Sequence, residues 1–399
     1  MRRDSRFTRR QMVGAGAAAG LTLRPGHGFA QGASPLASPA ATPVMSGPPL
    51  WEAAWQNGIV YGTSLATWQA DDEEYLPIVD REAAVLFTED DLLWWRLKPS
   101  PDAELDFSHA DRFFEIAEEQ QQLVIGAHLV WDEGFGEGWV MDDLWGLDET
   151  AARTLLFDTL EAQVDRYKGR VAGWITVNEV IDAHTEDGLR TDYPWLQTIG
   201  PSVVADAFVA ANEIDPDATL ILNEFGFETD SEWDLAADRR RNALLVLDSL
   251  LDAGAPVHAF GVQAHLDAAN FSERFDADAY REFLGEIASR GLGIVISEMD
   301  VLDDNVPADP VERDEVIADA YARYLEVALD EPAVFAVVTF GLTDRYTWLQ
   351  EDYPRDDGAD RRPLPFDMDL QPKPAYDAIR EALAQAPERE PVWEPPRAG

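Results

Sequence analysis

The chain has 399 residues, 46% of them hydrophobic and 10% aromatic, which is enough to bury one large core or two ordinary ones. Its 76 acidic residues outnumber the 31 basic ones and give a formal charge of −45, so nucleic acid and anionic membranes are excluded as expected partners. There is no cysteine, and we therefore expect neither disulfides nor a lipid anchor on cysteine.

Residues 1–30 have the pattern of an export signal. The pair Arg9-Arg10 precedes a stretch of small apolar residues, and small residues stand where a signal peptidase would cut after Ala30. Three glycines within the apolar stretch make an amphipathic helix of the fold a poorer interpretation. We predict twin-arginine export, a secreted protein and no membrane anchor.

Two further segments have the composition of unstructured spacers. Residues 31–50 are rich in Pro, Ala, Ser and Gly without periodicity, and residues 386–399 end the chain in a Pro- and Glu-rich stretch. No linker divides the residues between them. We therefore predict one ordered domain over residues 51–385, flanked by a linker and a disordered tail.

Within this domain, short apolar runs alternate with longer segments in which apolar residues recur every three to four positions. The runs predicted as strands are residues 59–65, 92–98, 123–130, 173–179, 219–226, 260–266, 293–300 and 336–344. Near-continuous apolar strands with intervening helices indicate a parallel sheet covered on both faces. The repeated units favour an α/β fold, a single (β/α)8 TIM barrel, over a doubly wound sheet.

Several of these strands end in polar residues, and active sites of such barrels lie where the strands end. The strand-ending residues are Asn178 and Glu179, Asn223 and Glu224, Gln263 and His265, and Glu298 and Asp300. Glu179 and Glu298 close strands on roughly opposite sides of a narrow barrel, so their carboxyl groups can flank one bond. Paired carboxylates at close range are what retaining glycoside hydrolysis requires.

The neighbours of the two glutamates predict different roles. Glu298 has His265 and Asp300 as partners that would hold it ionised, whereas Glu179 has the neutral Asn178 beside it. We therefore predict Glu298 as the nucleophile and Glu179 as the acid/base. No ligand spacing for a metal is present, and this chemistry needs no cofactor.

The segments WITVNEV, LILNEFGFE, GVQAHL and VISEMDV, in this order and spacing, resemble the glycoside hydrolase family 10 xylanases over nearly the whole domain. The resemblance implies a TIM barrel that cleaves β-1,4-xylan with retention, with Glu179 as acid/base and Glu298 as nucleophile. We expect a polysaccharide or oligosaccharide as the binding partner and a monomeric enzyme. The other roles that the resemblance implies are His265 and Asp300 in the network around the nucleophile, Asn178 at the sugar 2-hydroxyl, Gln263 beside them, and Trp348 in an aromatic wall of the cleft.

The chain departs from the family pattern on the glycone side. The family's Glu-Asn and the later Lys-Trp correspond here to Asp90-Asp91 and Trp94-Trp95, so the sugar-binding Lys is missing. Phe340 replaces a strand-eight Trp. These changes exchange hydrogen-bond donors for carboxylates and an indole, which alters the set of hydroxyls that the site can bind. Asp91 is a candidate sugar contact.

Strand three departs as well. The family's Gly-His-Thr-Leu-Val-Trp-His corresponds to residues 126–132, which lack both imidazoles at their usual places. Trp131 and Asp132 are candidate pocket residues, whereas His128, shifted by one position, is expected to pack outward. The leading hypothesis is an endo-1,4-β-xylanase-like enzyme. A divergent β-glycosidase on a non-xylan glycoside and a non-catalytic carbohydrate-binding barrel are the alternatives.

Overall fold

The structure is a computed structural model that describes residues 47–398. Its strands form one closed parallel barrel in which β6 pairs with β8 and β9 pairs with β1, so the predicted TIM barrel is confirmed. The short β7 continues β6 and pairs with the end of β8. The strands are β1 (Val60–Leu65), β2 (Val85–Thr88), β3 (Leu123–Gly126), β4 (Gly173–Asn178), β5 (Thr219–Glu224), β6 (Ala259–Val262), β7 (His265–Asp267), β8 (Gly293–Leu302) and β9 (Val334–Thr339).

Helices follow the strands and cover the outside of the barrel. They are α1 (Leu50–Trp55), α2 (Leu76–Glu82), α3 (Trp94–Leu97), α4 (Ser108–Glu119), α5 (Met141–Trp145), α6 (Glu149–Tyr167), α7 (Pro194–Thr198), α8 (Ser202–Ile214), α9 (Ala236–Asp252), α10 (Phe271–Arg274), α11 (Ala277–Ser289), α12 (Pro310–Ala328), α13 (Leu349–Asp352) and α14 (Pro374–Gln385). Short 3-10 turns occur at Gln69–Asp71, Asp344–Tyr346 and Pro396–Ala398. No helix in this part of the chain is both long and apolar enough to cross a membrane.

The barrel strands are apolar on both faces because they separate two hydrophobic layers. In β4, Ile175 points into the barrel interior and packs with residues such as Val60 and Val295 from other strands. Its neighbour Trp174 packs outward in the layer beneath the helices. Successive side chains of a strand point to opposite faces, so every second residue belongs to each layer.

The second predicted strand is wrong. Residues 92–98 include the short helix α3, and the strand is formed earlier by β2. The β2 segment has only four residues and follows α2 after two alanines, so its apolar run merges with the preceding helix pattern. Trp94, which lies within the predicted strand, instead packs among Phe135, Trp139 and Trp195.

The segment after α14 is packed, in contrast to the expected disordered tail. Trp393 is 6% exposed, lies against Phe335, and donates a hydrogen bond from Nε1 to Thr219 Oγ1 at 3.0 Å. Arg389 is buried and donates to backbone carbonyl oxygens of residues 329–334. The tail therefore closes the barrel at the end where the strands begin.

At the other end of the chain, the predicted signal over residues 1–30 lies outside the described residues, as does the linker up to residue 46. The last linker residue, Leu50, is fully buried and begins α1.

Candidate active site

The carboxylate of Glu298 lies at the mouth of the barrel, in the C-terminal half of β8. The side chain is only 2% exposed. Asn223, near the end of β5, donates from Nδ2 to Oε1 at 2.7 Å. On the other oxygen, His265 Nε2 lies 3.3 Å from Oε2. Each oxygen of this buried carboxylate therefore faces a hydrogen-bond donor, as a buried charge requires.

His265 is held by a second carboxylate. Its Nδ1 lies 2.8 Å from Asp300 Oδ1, and Trp348 donates from Nε1 to Asp300 Oδ2 at 2.7 Å. Burial alone would lower the pKa of His265, but Asp300 and Glu298 raise it to about 9. At neutral pH the imidazole is therefore a cation that donates from both nitrogens.

This cation determines the charge state of Glu298. Burial favours the neutral acid, but His128 and His265 outweigh it and hold the pKa of Glu298 far below its usual range. The Glu298 carboxyl is consequently ionised at any pH at which an ordinary enzyme works.

Glu179 follows β4 directly and has a backbone φ of 59°, in the left-handed region that non-glycine residues rarely adopt. Its carboxyl oxygens accept from two neutral donors: Gln263 Nε2 at 2.8 Å to Oε1, and Trp131 Nε1 at 3.1 Å to Oε2. The side chain is 7% exposed. The environment of Glu179 is thus polar without a cation bonded to the carboxyl group.

A chain of amides joins the two glutamates. Asn178 Oδ1 accepts from Asn223 Nδ2 at 2.8 Å and from Gln263 Nε2 at 3.4 Å. These same two amides donate to Glu298 and to Glu179, and the backbone carbonyl oxygen of Gln263 accepts from the Glu298 backbone N–H at 3.1 Å. Three uncharged side chains therefore fix the two carboxyl groups in one site.

A buried ion pair supports Glu179 from behind. Arg190 donates to both carboxylate oxygens of Asp132, at 3.2 and 2.8 Å, and to the backbone carbonyl of Glu179 at 2.9 Å. Burial raises the pKa of Asp132 to about 6, although Arg190 opposes this rise. Asp132 therefore acts on the site through the backbone of Glu179.

A cavity of about 390 Å³ opens beside His265, between the loop after β5 and the segment after β7. Phe225, Glu228 and Arg274 are among its lining residues. A larger cavity of about 580 Å³, beside Trp51, contains none of the residues described above. The smaller cavity shares His265 with the network around Glu298. No group of three or more His, Asp or Glu in residues 47–398 is placed to share a metal ion.

Comparison with known proteins shows the family. The model of glycosyl hydrolase family 10 matches residues 50–382. The chain belongs to glycosyl hydrolase family 10. Endo-1,4-beta-xylanase B of Thermotoga neapolitana is 30% identical over 318 residues, covering 79% of this chain and 85% of that protein.

Solved structures of family 10 members have the same fold. Native xylanase 10B of Thermotoga maritima aligns with a TM-score of 0.73 at 30% identity, covering 84% of this chain and 98% of that chain. Xylanase 10B of Thermotoga petrophila RKU-1, solved with xylobiose, aligns with a TM-score of 0.74 at 29% identity, covering 85% and 98%. The sequence-based assignment to a family 10 glycoside hydrolase is thereby confirmed.

Most sequence-predicted site residues of this family 10 member come together. Beyond the two glutamates, the residues in the connected network are Asn178, Gln263, His265, Asp300, Trp131, Asp132 and Trp348. Asp91 does not join them. It is fully buried, and its two oxygens accept from the Thr67 hydroxyl and backbone N–H, both at 2.8 Å. Its sugar contact stays a prediction, and the structure shows both oxygens already bonded within the protein.

The orientation expected for His128 is wrong. This side chain is 8% exposed and its Nε2 lies 4.0 Å from Glu298 Oε1. The preceding residue, Ala127, belongs to the barrel interior. His128 follows the end of β3, and strict alternation of faces no longer applies there.

Sequence reasoning gave no role to two residues of the network, Asn223 and Arg190. Asn223 carries the same signal as Asn178, a polar residue that ends a buried strand, and the two pair in register across β4 and β5. Arg190 lies in a loop and carries no local signal. Glu224, another strand-ending carboxylate, is fully buried, and its Oε2 lies 2.8 Å from Arg239 Nη2. This ion pair leaves Glu224 out of the site.

Proposed function

We propose that this protein is a retaining endo-β-1,4-xylanase in which Glu298 is the nucleophile and Glu179 is the acid/base. The observation that carries the proposal is the contrast between two buried carboxyl groups joined by one amide network. Glu298 faces a protonated imidazole, whereas Glu179 is bonded to a neutral amide and an indole. Two carboxyl groups in different environments can hold opposite protonation states at one pH.

The reaction proceeds in two displacements. The Glu298 carboxylate attacks the anomeric carbon while the Glu179 carboxylic acid gives its proton to the glycosidic oxygen, so the leaving sugar departs as an alcohol. The glycosyl ester on Glu298 is then attacked by water, and Glu179, now a carboxylate, takes the proton of that water. The ester bond breaks, and Glu298 is released as a carboxylate.

The geometry supports each role. Asn223 and His265 orient the Glu298 carboxylate, and the charge that returns to it in the second step meets the same donors. The side chain of Gln263 donates to the Glu179 carboxyl group, and its backbone carbonyl accepts from the backbone N–H of Glu298. This connection keeps the proton donor Glu179 and the nucleophile Glu298 aligned on one glycosidic bond.

The roles can be tested by azide rescue of Glu298→Ala and Glu179→Ala with an aryl β-xylobioside that has a good leaving group. We expect azide to restore turnover of both variants. The product should be the α-glycosyl azide for Glu298→Ala, because azide replaces the nucleophile directly. For Glu179→Ala it should be the β-glycosyl azide, because azide attacks the glycosyl ester.

The exposed Glu282, on α11, provides the control, since Glu282→Ala should retain the activity of the unmodified protein. The opposite stereochemistry in the two rescued variants would exchange the roles. Full activity of Glu298→Ala would refute covalent catalysis by Glu298. Binding of xylan without any turnover by the unmodified protein would favour a carbohydrate-binding barrel.

A second candidate is a retaining β-glycosidase that prefers a glycoside other than xylan. It is favoured by the glycone side, where Trp94 stands at the position of the family's Lys and is buried among aromatic rings. Nearby, burial and the neighbouring Asp90 raise the pKa of Glu89 to about 8. Turnover of xylan and xylo-oligosaccharides against a panel of aryl β-glycosides separates the candidates, since clear aryl-glycoside turnover without xylan turnover would reject xylan.

We also propose export by the twin-arginine route, with cleavage after Ala30. The support is the sequence pattern of the first residues, with Arg9-Arg10 ahead of a small-residue apolar stretch. An extracellular location agrees with a polymeric substrate that cannot enter a cell.

A further inference from the structure

His128 lies beside Glu298 in a fixed orientation. Its ring packs against the indole of Trp131, with centroids 4.7 Å apart, and edge-on against Phe87 at 5.9 Å. These aromatic contacts restrict the imidazole so that Nε2 faces Glu298 Oε1 at 4.0 Å. The ring therefore lies on the opposite carboxylate oxygen from His265, which faces Oε2.

Both ring nitrogens of His128 are sealed from solvent. Neither has a hydrogen-bond partner among the residues that the structure describes. A buried N–H without an acceptor is unfavourable, and water does not reach these atoms to satisfy it. The facing acceptor is Glu298 Oε1, and a movement of about 1 Å would bring the two atoms to hydrogen-bond distance.

We propose that His128 is a positioning residue for Glu298, which it holds through an Nε2–H to Oε1 hydrogen bond. Two imidazoles then fix the plane of the carboxylate, one on each oxygen. The inference rests on the proposed role of Glu298 as nucleophile. Holding both oxygens keeps the attacking oxygen aimed at the anomeric carbon and stabilises the carboxylate that leaves in the second displacement.

The placement differs from the family pattern that the sequence resembles. The resembling family pattern has its imidazole one residue earlier, where this chain has Ala127 within the barrel interior. His128 occupies the position of a threonine in that pattern and still reaches the nucleophile.

The kinetic test compares His128→Phe with His128→Gln on an aryl β-xylobioside. Phenylalanine keeps a ring between Trp131 and Phe87 without any N–H, and glutamine restores a donor. We expect kcat of His128→Phe to fall about tenfold or more, as for loss of a hydrogen bond to a charged group, while KM changes less than about threefold. His128→Gln should recover at least about threefold of the lost kcat.

The exposed His109 on α4 provides a matched control, because His109→Phe should leave kcat and KM unchanged. Thermal unfolding of each variant checks that it folds. A wild-type kcat in His128→Phe, or a His128→Gln variant as slow as His128→Phe, would overturn the proposal.

A spectroscopic test needs no activity and therefore stays informative if the proposed function fails. In protein with ¹⁵N-labelled histidine, we expect a slowly exchanging, downfield ring N–H proton of His128, assigned by its loss in His128→Gln. In Glu298→Ala that resonance should move upfield or disappear. An unchanged His128 resonance in Glu298→Ala would show that the ring does not bond Glu298.

Discussion

Replacing Trp393 by alanine should destabilise the protein strongly without changing its chemistry. The indole lies where β4 and β5 begin, because Nε1 donates to Thr219 Oγ1 and a side chain on Gly173 would meet the ring. It also packs on Phe335 at the start of β9. The two glutamates lie at the opposite end of the barrel, so the substitution does not touch the site.

The magnitude follows from the buried area. A tryptophan buries about 150–250 Å² of surface, and Trp393 is only 6% exposed. At roughly 25 cal/mol per Å² this corresponds to about 4–6 kcal/mol as an upper bound. The lost hydrogen bond to Thr219 adds about 1 kcal/mol, and relaxation of the tail around the gap offsets part of the total. We therefore expect a loss of about 3–5 kcal/mol in the free energy of unfolding.

Urea unfolding followed by far-ultraviolet circular dichroism measures this loss. Trp233 is 71% exposed and is the matched control, with Trp233→Ala expected within about 0.5 kcal/mol of the unmodified protein. Activity of Trp393→Ala at 25 °C should be unchanged while the protein is folded. A loss of less than about 1 kcal/mol in the free energy of unfolding of Trp393→Ala would refute the packed tail, because replacing a buried tryptophan by alanine costs about 3–5 kcal/mol.

Three further outcomes are expected. The pKa of His265 is raised to about 9 in the folded protein, so its contribution to stability is complete below about pH 6.5 and is lost as the pH rises through about 9. Urea unfolding across this range should show a falling free energy of unfolding, and His265→Gln should make that fall smaller. Asp132→Asn weakens the hold of Arg190 on the Glu179 backbone, so kcat/KM for an aryl β-xylobioside should fall about tenfold, with a stability loss of about 1–3 kcal/mol; unchanged kcat/KM would contradict this positioning. Replacing Arg9-Arg10 by Lys-Lys should leave the uncleaved precursor inside the cell in a fractionation assay, and normal export would contradict the twin-arginine route.

The positions of the chemical groups could be read from the sequence because they depend on a local pattern. Glu179 and Glu298 each end a run that is apolar on both faces, and in a closed parallel barrel every such end lies at one mouth. The same rule placed Gln263 and His265 correctly. The helix and strand patterns of apolar residues, together with a carboxylate at the end of an apolar run, were sufficient to predict these positions. No information on distant contacts was needed.

Contacts between distant segments could not be read in this way. Arg190 reaches Asp132 across 58 positions of sequence, and only the closed barrel brings them together. The tail has the composition of a spacer, yet Trp393 finds a hydrophobic surface that exists only after the strands have assembled. Both oxygens of Asp91 accept hydrogen bonds from Thr67, 24 positions away, a contact that the local sequence does not indicate.

The network also bears on the roles that we propose for the two glutamates. Asn178, Asn223 and Gln263 transmit position between the carboxyl groups, but as neutral amides they transmit no charge. The cation that faces a carboxyl group of the pair is His265, which Asp300 fixes beside Glu298. Reversing the roles would require a protonated Glu298 next to a protonated imidazole, although the pKa of Glu298 lies far below its usual range. The difference in charge between the surroundings of the two carboxyl groups therefore comes from β7 and β8, which carry His265, Glu298 and Asp300. The amides hold the two carboxyl groups in one site.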